Sequence, residues 1–275
     1  MEVLIVGCGY VGTALGLELA RAGHRVLGLR RDPSSLPPEI EGLAADLSDV
    51  ASLRSLPAFD VVAFTTAPPT PDEAGYRLAY LDGPRRVLGA LPRRPRRVLL
   101  TSSTSVHGEV DGSWVTEATP PSPTTEKARL VLEGEAALAA AHADTAIVRF
   151  GGIYGPGRER LLRGVRAGTL GLAPEPSPFT NRIHRDDCAG ILAHLAQLET
   201  VELPVLLGVD SEPAAWNDVV RWLAAEWDVE CATTGARREG LGKRCSNRAL
   251  LESGYRLRYP GFREGYSELL RAARG

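Results

Sequence analysis

Residues 3–12 read Val-Leu-Ile-Val-Gly-Cys-Gly-Tyr-Val-Gly, and this stretch constrains the fold more than any other. A short β-branched run ends in Gly-x-Gly-x-x-Gly, and an amphipathic pattern follows through Ala14, Leu15, Leu17, Leu19 and Ala20. The order strand, tight turn, helix gives a short glycine motif the meaning of a dinucleotide fingerprint. Gly7 permits the turn, Gly9 lets backbone approach a pyrophosphate, and Gly12 lets the helix pack close to the strand. Tyr10 and Val11 open the helix, whose unpaired N–H groups and partial positive charge suit phosphate. The competing reading is a glycine-rich turn in an ordinary α/β protein.

The second strand is expected at Arg25-Val26-Leu27-Gly28-Leu29, with Arg30 and Arg31 at its end. At this place an acidic residue accepts the ribose hydroxyls of NAD, whereas arginine accommodates the 2′-phosphate of NADP. A guanidinium fork suits phosphate, so the reading is NADP, with NAD as the other cofactor admitted because Asp32 follows directly. The arginines also fit a plain surface strand end. Leu43-Ala44-Ala45-Asp46-Leu47 reads as a third strand whose Asp46 faces the adenine, or caps the next turn with Ser48 and Asp49. Residues 59–67 read as a buried parallel strand, with Thr66 and Ala67 beside the cofactor at its carboxyl end.

Residues 76–91 read as a helix that Gly83-Pro84 bends or interrupts. Val98-Leu99-Leu100-Thr101-Ser102-Ser103 is the next strand, residues 124–141 a helix, and residues 143–150 another strand. Alternation at this spacing predicts an α/β Rossmann-type fold, a doubly wound parallel sheet over residues 1–150. The texture changes at Gly151-Gly152-Ile153-Tyr154-Gly155-Pro156-Gly157. Helices are expected at 186–198, 214–226 and 262–273, with a strand at 203–209. Residues 151–275 are therefore expected to form a smaller substrate-binding α/β lobe, partly interleaved with the first, over the carboxyl edge of the sheet.

Composition narrows the partners. A formal net charge of −2 gives no electrostatic case for nucleic acid or a membrane surface. The dense basic cluster Arg93-Arg94-Pro95-Arg96-Arg97 reads as a solvated loop before a strand. Cys8, Cys188, Cys231 and Cys245 show no metal-like spacing and no metal site is expected. Scattered cysteines and a first strand starting directly after Met1-Glu2 predict a cytoplasmic protein with no leader and no membrane span.

The chain resembles the extended and atypical short-chain dehydrogenase/reductases, particularly the NAD-dependent epimerase/dehydratase-like group. The likeness spans nearly the whole length. It rests on the glycine turn, Asp46-Leu47, the run Leu100-Thr101-Ser102-Ser103-Thr104-Ser105-Val106-His107-Gly108, Arg149 to Gly157, and Asn181-Arg182-Ile183-His184-Arg185-Asp186-Asp187. Gly242-Lys243-Arg244-Cys245-Ser246-Asn247 and Gly254-Tyr255-Arg256-Leu257-Arg258-Tyr259-Pro260 look like the tail of one subgroup. In that family a Tyr serves as acid or base, a Lys four residues later lowers the phenol pKa and holds the nicotinamide ribose, and an upstream Ser orients the substrate oxygen. The resemblance makes Ser103 the upstream hydroxyl and Lys127 the lysine. The residue four before Lys127, however, is Pro123, and no Tyr occurs between Tyr80 and Tyr154.

Three functional readings follow. One is a structural or interaction role with a vestigial pocket, against which the intact glycine turn and paired arginines argue. The other two involve the cofactor. In one, the chain is an NADP-binding oxidoreductase or epimerase for a small carbonyl or nucleotide-sugar substrate, with Tyr154 or His107 handling the proton and Lys127 near the ribose. In the other it is a non-catalytic NADP-binding, redox-sensing protein. Plainer roles stay open for each residue: Ser103 finishing a strand, Lys127 on a solvated face, Tyr154 packing under its loop, His107 filling a turn, His184 anchoring the lobe. The family's habit is a homodimer through sheet-flanking helices such as 124–141.

Overall fold

The computed structural model describes residues 1–233 and 240–274. In chain order the first half holds β1 (Glu2–Val6), α1 (Tyr10–Arg21), β2 (Arg25–Arg30), β3 (Glu41–Ala44), β4 (Val61–Phe64), α2 (Glu73–Arg77), α3 (Gly83–Ala90), β5 (Arg97–Ser103), β6 (Asp111–Val115) and α4 (Glu126–Ala141). The second half holds β7 (Thr145–Phe150), β8 (Gly152–Tyr154), α5 (Arg160–Arg166), β9 (Phe179–Thr180), β10 (Arg182–His184), α6 (Arg185–Gln197) and β11 (Val205–Gly208). The chain closes with β12 (Ala214–Ala215), α7 (Trp216–Trp227), β13 (Gly242–Cys245), α8 (Arg248–Glu252) and α9 (Phe262–Arg274).

Two compact units emerge. The first comprises Met1–His107, Pro121–Arg149 and Cys188–Leu206; the second comprises Gly108–Pro120, Phe150–Asp187 and Leu207–Gly275. A seven-stranded sheet in the order β3-β2-β1-β4-β5-β7-β11 organises the first. Pairing is parallel from β3 through β5, with Val3 opposite Val26 on one side and Val61 on the other. This is a Rossmann-type doubly wound sheet. Every residue of β4 is buried, which is why its apolar run does not alternate. Leu4, Val6, Leu29, Phe64, Val98 and Leu100 form part of the core on this sheet, with Leu138 of α4 against them.

Three local outcomes differ from the sequence expectation. The strand at 205–208 joins the large sheet as its edge beside β7, because a parallel neighbour satisfies the outer polar backbone of β7. The 73–90 run does not break at Gly83-Pro84. It widens into a π-type turn over Leu78–Asp82, so the proline sits at the start of α3, where no intrahelical N–H is needed. Third, the basic cluster divides: Arg93, Arg94 and Arg96 are exposed, as a solvated loop requires, but Arg97 is not. Arg97 is fully buried: its Nε and Nη2 donate to Asp144, and its guanidinium also reaches the carbonyls of Leu195, Leu198 and Glu199. Arg96 donates to Ala196 and Leu198 O. The two arginines clamp the unpaired carbonyls at the carboxyl end of α6, where cationic groups are favoured.

In the second unit α5, α7 and α9 pack through Leu162, Val165, Val220, Leu223, Phe262, Tyr266 and Leu270. Short ladders complete it: β6 with β13 and β8 with β10 are parallel, and β9 with β12 is antiparallel. Among the described residues no helix is long and apolar enough to cross a membrane.

Candidate functional site

The sheet order reverses between β1 and β4, and the glycine turn sits at that reversal, where open α/β sheets receive ligands. Gly7 has φ +79°, and its N–H donates to Leu29 O at 2.9 Å. A side chain there would strike Thr66, so the turn and the end of β4 fit together only around glycine. At Gly12 a Cβ would lie 2.5 Å from Thr65 Oγ1 and 2.9 Å from Ile5 Cγ2. That is the close helix–strand approach the third glycine permits. Gly9 differs: its Cβ would meet nothing nearer than Gly7 O at 3.8 Å. The surface beside it is open, as a backbone that a phosphate must approach requires. Thr65 Oγ1 donates to Gly7 O at 3.0 Å and Thr66 Oγ1 to Ala79 O at 3.1 Å, holding this edge in place. The Cys8 thiol is buried in the turn, and burial pushes its pKa up, so it stays a neutral filler.

A cleft of about 540 Å³ opens from this turn. Gly7, Gly9, Arg30, Arg31, Asp46, Leu47, Thr66 and Ala67 all line it, so eight of the sequence-derived cofactor residues converge on one cavity. Arg30 leans toward Cys8 O, 3.5 Å from Nη1, while Arg31 is exposed. Asp46 lies beyond the end of β3, not within a strand at 43–47. Its carboxylate accepts from both the N–H and the hydroxyl of Ser48 at 2.8 Å, which turns the chain and holds the carboxyl below its ordinary range. Asp49, not Asp46, caps the following short helical turn by accepting from Ala51 N–H.

The hydroxyl cluster at the carboxyl end of β5 divides into two roles. Ser103 Oγ accepts from Ser105 N–H at 3.1 Å and is half-buried, leaving its own proton to donate. Ser102 points the other way, into a buried network that the sequence reading missed. Its hydroxyl donates to Glu135, whose carboxylate is gripped by Arg149 through Nη2 at 2.6 Å and Nε at 3.0 Å. Arg149 Nη1 donates to His107 Nε2 at 3.0 Å. Arginine can only donate, so Nε2 bears no hydrogen and His107 is held as the neutral ring protonated at Nδ1. The signal for Glu135 was present: it occupies an inward position of the stripe Ala128, Val131, Glu135, Leu138. Lys127 is exposed in the first turn of α4, with Nζ 5.8 Å from the Tyr76 ring centroid.

Tyr154 belongs to the second unit, whereas Ser103 and Lys127 belong to the first. Its ring is buried, stacked on Tyr266 at 4.5 Å and edge-on to His184 at 5.3 Å. Among the described residues its hydroxyl has no hydrogen-bond partner. Burial, then the negative charge of Asp210, push the phenol pKa far above its ordinary value, so Tyr154 keeps its proton. His184 is fully buried, and burial lowers its pKa. Close by in sequence, Asp187 accepts from Tyr255 Oη at 2.9 Å and from the N–H groups of Arg258 and Tyr259 at 2.7 and 3.0 Å, tying down the 255–259 tail.

Comparison with known proteins agrees with this geometry. The NAD dependent epimerase/dehydratase family model matches residues 3–169. Protein YeeZ of Escherichia coli K12 is 30% identical over 212 residues, covering 71% of this chain and 73% of that protein. A structure from Methylobacillus flagellatus, described as an NAD-dependent epimerase/dehydratase, is 35% identical. It superposes with a TM-score of 0.87 over 100% of this chain and 99% of its own. The human epimerase family protein SDR39U1, solved with NADPH, shares the fold at 22% identity, with a TM-score of 0.81 over 98% of this chain and 99% of that one.

Proposed function

The chain belongs to the NAD dependent epimerase/dehydratase family, and we propose that it binds NADP and acts as an oxidoreductase or epimerase on a small carbonyl or nucleotide-linked sugar. The observation that carries the cofactor choice is the cleft at the sheet reversal, lined by an open Gly9 and by Arg30 and Arg31 together. Gly9 and the start of α1 suit the pyrophosphate, and the two guanidinium groups suit a 2′-phosphate. The NADPH found with the human relative supports the same choice. The bound nicotinamide would supply a hydride donor or acceptor.

The rest of the assignment concerns this chain's own groups. Ser103 Oγ retains a proton to donate to a substrate oxygen, and Lys127 offers a mobile cation at the start of α4. Tyr154 holds its proton, so any part it takes is that of a hydrogen-bond donor rather than a base. The four cysteines, three of them buried, form no disulfide among the described residues, which supports a cytoplasmic setting. The second reading, NADP binding without turnover, is favoured by one feature: the residue four before Lys127 is Pro123, so no phenol stands there.

Titration with NADPH and NADH tests the cofactor assignment. Arg30→Ala with Arg31→Ala is expected to weaken NADPH by about tenfold to a hundredfold and NADH by less than about threefold, since charge-assisted hydrogen bonds to the 2′-phosphate are lost only for NADPH. Equal losses for the two cofactors would overturn it. A screen of carbonyl compounds and sugar nucleotides with bound NADPH then separates enzyme from sensor.

A further inference from the structure

Arg244 stands directly opposite Trp114 in the β6–β13 ladder. Its guanidinium carbon lies 5.0 Å from the Trp114 ring centroid and 5.0 Å from that of Phe179. Its Nε donates to Gly112 O at 2.7 Å. These contacts fix the plane and direction of the group but use only one of its nitrogens. Among the described residues Nη1 and Nη2 have no acceptor, and no carboxylate lies within ion-pairing distance. Arg185, Arg221, Arg248 and Arg263 of this unit, by contrast, each meet an Asp or Glu. Trp114, meanwhile, is 54% exposed, although indoles are normally well covered.

An arginine that only staples two strands needs its stem, its Nε bond and the rings. It gains nothing from an unopposed pair of terminal nitrogens beside a bare indole. Aromatic cover strips hydration from guanidinium, and a backbone anchor removes much of the entropy lost on binding. The result is a preorganised two-point donor lacking an oxyanion, next to a flat apolar face.

We propose that Arg244 is a specificity-determining residue that binds a carboxylate or phosphate of the substrate through Nη1 and Nη2, with the Trp114 indole against the ligand's ring or unsaturated portion. This rests on the reading of the chain as acting on a small molecule. It narrows that class from carbonyl compounds in general to anionic ones.

The test uses the full-length protein with phenyl phosphate, phenylacetate and uncharged benzyl alcohol, followed by calorimetry and tryptophan fluorescence. At least one anion is expected to bind about tenfold or more tighter than benzyl alcohol, and the better anion tells phosphate from carboxylate. Arg244→Gln is expected to cost that anion about tenfold to a hundredfold, the loss of a charge-assisted pair. Arg244→Lys, which keeps the charge without the fork, falls between, and Trp114→Ala weakens anion and alcohol together. The Arg30→Ala/Arg31→Ala protein should bind the anion as well as wild type, which separates this site from the cofactor cleft. Anion binding that is no better than benzyl alcohol, or is undiminished in Arg244→Gln, would overturn the proposal. If Arg244→Gln is unfolded by circular dichroism, the wild-type ranking and the affinity of Arg244→Lys decide between the same two outcomes. NADPH titration on the same proteins reports the cofactor reading independently, so either can fail alone.

Discussion

The buried network beside Ser103 offers the sharpest quantitative test of the fold's polar interior. Glu135 and Arg149 are 3% and 5% exposed, and the carboxylate takes three hydrogen bonds from Arg149 and one from Ser102. Glu135→Gln keeps the shape and removes the charge, leaving a buried guanidinium opposed only by neutral groups, the His107 ring among them. Breaking a buried pair from one side costs about 3–5 kcal/mol, because the surviving charge has neither water nor partner. That is roughly a hundredfold to several-thousandfold rise in the unfolded ratio, or a fall of about 6–20 °C in the melting midpoint. Replacing both partners together, Glu135→Leu with Arg149→Met, should recover most of the loss, since neither member is then stranded. Differential scanning calorimetry and urea titration on the three proteins measure this. A loss under about 1 kcal/mol for Glu135→Gln, or a double variant as unstable as the summed singles, would refute the reasoning.

Two further predictions concern the second unit. Asp210 is buried, its pKa is pushed up to about 8 chiefly by burial, and one carboxyl oxygen has no partner among the described residues. Its folded pKa exceeds the unfolded value of about 3.9, so the stability it contributes is complete below about pH 4 and is lost as pH rises through 8. Asp210→Asn should flatten the fall in stability between about pH 4 and 8, and an unchanged pH profile in urea titrations would contradict the assignment. Gly265 lies inside α9, where alanine normally adds about 0.5–1 kcal/mol. Here a Cβ would overlap the hydroxyl and ring of Tyr154, which is packed between Tyr266 and His184 and has no room to swing. Gly265→Ala should therefore destabilise by about 1–3 kcal/mol, and Tyr154→Phe added to it should return part of that. A raised melting midpoint for Gly265→Ala would show that the ring moves aside.

The cofactor half was legible before any coordinates because its chemistry is local. A turn of fixed φ at Gly7, a bare backbone at Gly9 and a close approach at Gly12 need particular residues at particular spacing, within a strand and helix whose periodicities announce themselves. Arg30, Arg31, Thr66 and Ala67 were expected at this edge by the same route, since strand ends in a parallel sheet face one edge, and they line the cleft there.

What only the tertiary structure decided are pairings between distant residues. No local rule tells that Arg97 abandons its basic neighbours for Asp144 and the end of α6, or that a glutamate in the apolar stripe of α4 meets Arg149. Nor does sequence show that β11 completes the large sheet, or that β13 lays Arg244 opposite Trp114. A buried charge or a short ladder draws its energy from a partner brought close by folding. Its sequence signature is therefore divided between segments that carry no mark of each other.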